Sequence, residues 1–367
     1  MITKNIIYKE GAVIQVSAFE PQSGAGEYHI MVHPTPGRCF EEQMASITSA
    51  MEYLLAEEFH GAEPLFIRYF LSDAANQEAA AKESAGCFNC AVSVVEQPPL
   101  DGTKVSAWMY LVRRSEQSAY GHMWHGTMTA DGADSCDQTD IIFRNYADSL
   151  DKQRCTIQDN CIRTWLFVQN VDVNYAGVVK GRREYFDTIG LTPETHYIAS
   201  TGIAGRTASA ASSVMMDAYA VSGLHPDQVT YVKGSTHLNP THEYGVTFER
   251  GTAVRYGDRQ HVFISGTASI DNTGAVVHPG DIQKQTLRML ENVDVLLSEV
   301  GCGFEDAAHM IVYLRDIADY TTVRNIFETR FPDHPKIFLW APVCRPGWLV
   351  EMECIAVAPV VSSYPNY

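Results

Sequence analysis

The last third of the chain repeats the element order of its middle third, and this sets the architecture. From His261 the sequence reads HVFISGTASIDNTGAVVHPGD, then IQKQTLRMLENVDVLLSEVG, then DAAHMIVYLRDIADYTTVRNIFETRF, and ends on GWLVEMECIAVA. Leu287, Leu290, Val293, Leu296 and Leu297 recur at helical spacing, which predicts a helix over Gln283–Val300 stopped by Gly301. Met310–Leu314 reads as a short buried strand, Tyr320–Phe331 as a second helix and Leu349–Val357 as a full strand. In the middle third, His125-Gly126-Thr127 stands where Ser265-Gly266-Thr267 stands. Gln138-Thr139 matches Gln285-Thr286, RTWLFVQNV matches HMIVYLRDI, and SVMMDAYAV matches LVEMECIAV. The first third is a fainter copy, with a helix expected over Phe40–Glu58 and strands over Leu65–Leu71 and Lys104–Val112.

Three copies predict three units, at residues 1–115, 116–236 and 237–367. Each alone would leave one sheet face bare, and packing three such faces together buries them. The expected class is α+β, arranged as a pseudo-trimer within one polypeptide that stands as a monomer or assembles further.

Composition narrows the partners. Lys and Arg number 27 against 44 Asp and Glu, a formal charge of -17. A chain this acidic has no general attraction for nucleic acid or anionic lipid, so an anionic ligand must be held by a few placed arginines. No long apolar run predicts a membrane span. The opening MITKNIIYKEGAVIQV lacks the pattern of a secretory leader, and with nine cysteines the expectation is a cytoplasmic chain with reduced thiols. Cys87 and Cys90 form a lone CxxC and read as packed or loop thiols, and His122 and His125 have no ligand-spaced companions, so no metal is expected. Dinucleotide and P-loop words are absent.

The words ISGTASID, QTLRMLENVDVLL, VYLRDIADYTTVRNIF and LVEMECIA resemble the RidA/YjgF family, strongly over Tyr244–Pro359 and moderately over Met123–Gly223. The resemblance implies chorismate-mutase-like units with sites in the clefts between them, and enamine or imine hydrolysis as the simple family chemistry. One departure counts against that chemistry. Where the deaminases carry an Arg two residues after a Pro, this chain has Pro335-Lys336-Ile337-Phe338. The words RTWLFV, GRREYF, THYIASTGIAG, YGVTFERG and CRPGWLVE are instead similar to the chorismatases, cofactor-free members of the same superfamily. That resemblance implies release of pyruvate from chorismate, a small dicarboxylate with an enolpyruvyl ether.

Protonating an enol ether near neutral pH needs an acid of raised pKa. Glu351 suits the role, because it sits mid-strand among apolar residues, with Glu353 on the same face. The repeats carry Met215 and Ser106 at its position. Cys344 stands where chorismatase subtypes differ, and Cys resembles the 3-hydroxybenzoate-forming subtype. A thiolate there would need a neighbouring cation such as Arg345, and the alternative is a small buried thiol. Two ligand carboxylates ask for fork-shaped donors, and Arg163, Arg324, Arg345 and Arg250 are the candidates. Ser200-Thr201-Gly202 and Ser265-Gly266-Thr267 read as small polar turns open to an anion.

Overall fold

A computed structural model describes residues 1–22, 24–114 and 116–367. The first unit runs β1 (Ile2–Tyr8), β2 (Ala12–Phe19), β3 (Gly26–Pro34), α1 (Phe40–Tyr53), β4 (Glu63–Leu71), α2 (Ala74–Ala85), β5 (Ala91–Glu96) and β6 (Val105–Arg113). The second runs β7 (Gly121–Met128), α3 (Ser135–Asp151), the single turn α4 (Ile157–Asn160), β8 (Cys161–Val168), α5 (Val171–Thr188), β9 (Ala199–Ala204) and β10 (Val214–Ser222). The third runs β11 (Val229–Val232), β12 (Gly251–Arg255), β13 (Arg259–Ala268), α6 (Ile282–Glu299), β14 (Ala307–Leu314), α7 (Tyr320–Arg330), β15 (Lys336–Trp340) and β16 (Val350–Pro359).

Each unit is one mixed sheet of the same plan. The orders are β1-β2-β3-β6-β4-β5, β7-β10-β8-β9 and β11-β12-β13-β16-β14-β15. In each, the last strand enters antiparallel beside the strand that precedes the second helix, and the edge pairs β4–β5, β8–β9 and β14–β15 are parallel. The fold is thus α+β, built of three RidA-like units. Two details differ from the sequence reading. Val229–Val232 already pairs with Gly251–Arg255, so the third sheet takes in residues ahead of position 237. The two Ser/Gly/Thr words lie inside β9 and β13 and are not turns, with the ladder of β13 shifting register between Ile264 and Thr267. Among the described residues no helix is long and apolar enough to cross a membrane.

The inner sheet faces meet around a shared core, and their contacts pass from unit to unit in a cycle. Trp108, Asp217 and Glu353 hold matching places on β6, β10 and β16. Glu353 takes Arg163 and Trp165 of the second unit, with Nη2–Oε2 and Nε1–Oε1 distances of 2.7 Å each. Asp217 takes Arg68 of the first unit, Nη2–Oδ2 2.8 Å, and the Thr127 amide, 2.8 Å. Trp108 packs on His309 of the third unit, with ring centroids 4.3 Å apart. Arg68 and Asp217 are fully buried, and Arg68 also lies 4.6 Å from the Trp165 ring centroid. Asp217→Ala leaves this guanidinium buried without its counterion, which costs about 3–5 kcal/mol. Chemical denaturation should show a loss of that order, and a loss under about 1 kcal/mol would mean that water reaches Arg68.

Candidate active site

The three repeats give three equivalent clefts, and their chemistry differs. Between the first and second units Met215 occupies the place of Glu351, and Gly126 lies so close to β5 that a Cβ would strike the Val92 carbonyl. At the third, Ser106 is buried and hydrogen-bonded to Thr103, Oγ–Oγ1 3.1 Å. Among the described residues, only the cleft between the second and third units has an acid at this position of the repeat.

That cleft closes around a small cavity. Its floor is β9 and β13, joined by the Gly266 amide donating to Thr201 Oγ1 (2.9 Å) and the Ser200 amide donating to Ser265 Oγ (2.9 Å). Gly266 is required here, since a Cβ would collide with the Glu351 carboxyl group. Two segments of the third unit cover it. Residues 234–250 tie to the second unit where the Glu249 amide donates to the Ile198 carbonyl, 3.0 Å. Residues 341–349 cross β9, with the Ala204 amide on the Pro342 carbonyl (3.1 Å) and Arg315 holding the Val343 carbonyl (2.7 Å).

Glu351 projects from β16 into this space and is 3% exposed. Burial pushes its pKa up to about 8, and Glu353 adds to the rise, while Arg163 and Arg250 oppose it. The carboxyl is therefore protonated at neutral pH, which fits a general acid. Cys344 also lines the cavity, but its thiol moves away from reactivity. Burial and the Glu351 charge push it up to about 12, and Tyr175 and Arg345 only partly offset this. Of the two readings of Cys344, a thiolate beside Arg345 and a small buried thiol, the direction of the shift favours the second, because desolvation outweighs the partly buried cation. Cys344 is a neutral thiol beside the acid.

The arginines divide. Arg250 and Arg345 line the cavity as the sequence suggested. Arg250 donates to the Asn239 carbonyl (3.0 Å) and Arg345 to the Tyr244 carbonyl (3.2 Å), and both lie over the Tyr244 ring. Arg163 is not free to hold a ligand. It is committed to Glu353, Thr201 and Ser265, and acts on Glu351 only through its charge. Arg324 lies outside the cleft, exposed on α7 over the Tyr320 ring. Lys336 is likewise elsewhere, its ammonium taken by the Phe331 carbonyl at 2.9 Å. Arg182 was not singled out in the sequence, although GRREYF contains it. It is 2% exposed, lines the cavity from α5, and donates to Thr247 Oγ1 (3.1 Å) and Ser200 Oγ (3.4 Å). Tyr175 and Tyr244 complete the polar wall.

Among the described residues Arg182, Arg250 and Arg345 bond only neutral oxygens, and the single carboxyl among the cavity walls is held in its acid form. Three guanidinium groups thus line one cavity with no carboxylate hydrogen-bonded to any of them among the described residues, in a chain of charge -17. The chemistry this permits is capture of a small anion beside a carboxylic acid that can donate a proton.

The other polar groups from the sequence reading lie apart from this cleft. His122 pairs with the Tyr219 hydroxyl (2.7 Å) and His125 with Ser149 (3.0 Å). Cys87 is an exposed free thiol, and burial pushes Cys90 up to about 12.

The family model for Endoribonuclease L-PSP matches residues 250–358. A RutC family protein of Pyrococcus abyssi is 33% identical over 107 residues, covering 28% of this chain and 82% of that protein. The chain belongs to this family, RidA/YjgF. A second relative, the 3-aminoacrylate deaminase RutC of Acinetobacter baylyi, is 30% identical over 97 residues, or 26% of this chain and 77% of its own length. The family-model match lies within the third unit. A match to the 3-hydroxybenzoate synthase of Streptomyces hygroscopicus reaches further, with 27% identity over 222 residues, 53% of this chain and 63% of that protein. A crystal structure of a chorismatase superposes with a TM-score of 0.64 at 19% identity, over 91% of this chain and 99% of that one. The shared fold thus extends over all three units.

Proposed function

We propose that the chain cleaves chorismate, releasing pyruvate. The observation that carries this reading is the pairing of a protonated Glu351 with Arg182, Arg250 and Arg345, three cations in one cleft that among the described residues hydrogen-bond no carboxylate. A dicarboxylate supplies the missing negative charge and places an acid-labile bond beside the donor. The 3-hydroxybenzoate synthase relative and the chorismatase fold match support the same reading.

Glu351 gives its proton to the methylene carbon of the enolpyruvyl group, which leaves an oxocarbenium at the ether carbon. The resulting carboxylate takes a proton from water as that water adds there, and the hemiketal collapses to pyruvate and a ring alcohol. Pyruvate and the cyclohexadiene carboxylate formed this way together contain one added water, whose oxygen becomes the ketone of pyruvate. If the ring aromatises to 3-hydroxybenzoate instead, the two products together contain only the atoms of chorismate. Cys344, a neutral thiol on the cavity wall, is the residue we assign to this choice, and Cys favours the hydroxybenzoate. No step needs a cofactor.

The cavity is about 20 Å³, room for about one water. Substrate therefore enters when the cover formed by Tyr244, Arg345 and Trp348 shifts. An imine hydrolase reading lacks a cation in the deaminase position, because Lys336 is turned to backbone carbonyls outside the cleft.

The test is incubation of the purified chain with chorismate, following pyruvate through a coupled dehydrogenase and the ring product by chromatography. Pyruvate in proportion to enzyme supports the reading. No release at high enzyme concentration sinks it.

A further inference from the structure

A second cavity, of about 170 Å³, lies behind the catalytic one, with Arg250 and Phe248 forming the wall between them. Its other residues play no part in the chemistry above. One side is aromatic: His196 stacks on Tyr231 with centroids 4.3 Å apart and planes 13° apart, and Tyr197 and Phe248 flank them. A space of ~150 Å³ with apolar walls suffices for a benzene ring. The buried end is Arg250, Asn239 and Thr241, and the open end is Lys233, His242 and Pro193.

Charge points to the ligand class. Lys233, His242 and Arg250 surround Glu249, the one acid lining this cavity. Glu249 is already engaged, accepting the Tyr197 amide at 2.8 Å. Arg250 is 4% exposed, and its Nε has no hydrogen-bond partner among the described residues. A ring-sized slot with aromatic walls and an excess of cations over acids suits a flat monoanion, with ring stacking on one side and a charge-assisted hydrogen bond on the other.

We propose that this cavity is a second ligand site, for a small aromatic carboxylate, and that it shares Arg250 with the catalytic cleft. An occupant there draws on the same guanidinium that faces the substrate, so the two sites compete for one cation. The site needs no turnover and stands independently of the chorismate reading.

Calorimetric titration of the full chain with benzoate tests it. Binding is expected, weakened about tenfold by Lys233→Gln, the loss of one charge-assisted hydrogen bond. Tyr231→Ala should weaken it through the lost stacking face, and Arg182→Gln, confined to the catalytic cleft, should leave it unchanged. Lys233→Gln should retain any pyruvate release that the wild type shows. Absence of benzoate binding overturns the proposal. So does binding lost with Arg182→Gln and indifferent to Lys233→Gln and Tyr231→Ala, since benzoate would then occupy the catalytic cavity.

Discussion

Glu351→Gln should lower pyruvate release from chorismate by about 10²–10⁴-fold, the usual worth of a general acid. The amide keeps the shape of the side chain and removes only the transferable proton. Because burial and Glu353 hold the wild-type carboxyl at about 8, it is charged less than its ordinary pKa of 4.5 would dictate. Activity should be flat below that value and fall as pH rises through it, since only the protonated form donates. A profile that instead rises through pH 8 would make Glu351 a base and refute the mechanism.

The stability of the variant should move the opposite way to its activity. A carboxyl with a raised folded-state pKa contributes stability at low pH, and this is lost as pH climbs from its ordinary value through about 8. Above that range the wild-type chain carries a buried charge costing on the order of 5 kcal/mol. Gln does not titrate, so Glu351→Gln should melt at a higher temperature than wild type at pH 9 and nearly with it at pH 5. A variant that is inactive and also less stable at pH 9 would point to a folding defect.

The repeat was legible because the strand and helix periods of each unit survive in sequence, and the matching words fixed which segments are equivalent. What it did not show were the parallel edge strands β5, β9 and β15, only five or six residues each, too short for a period to stand out. In the site, Glu351 was readable because it is an acid on an apolar strand where its repeats carry Met215 and Ser106. Arg163 was readable as unusual but not as paired, since its partner Glu353 lies 190 positions away on another sheet. Arg182 was hidden for a different reason. In Gly181-Arg182-Arg183-Glu184 it looks like part of a charged, solvent-facing helix turn. It is buried against β9 and the covering segment of the third unit, where Ser200 and Thr247 accept from it. That contact between units has no local sequence signature.

Arg182 also gives the sharpest test of the anion site. Its guanidinium is buried, and desolvation lowers its pKa, yet among the described residues it meets only the hydroxyls of Thr247 and Ser200. In the free protein this is an uncompensated buried charge, which Arg182→Gln removes, so the variant should be as stable as wild type or more so. With substrate bound the balance reverses. A charge-assisted hydrogen bond to a carboxylate contributes about 1.5–3 kcal/mol, so kcat/KM should fall by about 10- to 150-fold. The substrate carboxylates are charged before and during proton transfer alike, so the loss should appear mainly in KM, with kcat little changed. Arg182→Lys keeps the charge and loses the fork, and should recover only part of the deficit. A structural role would instead lower the melting temperature of both variants and leave KM alone. The opposed signs, a more stable free chain and a weaker grip on substrate, distinguish an arginine kept for its ligand from one kept for the fold.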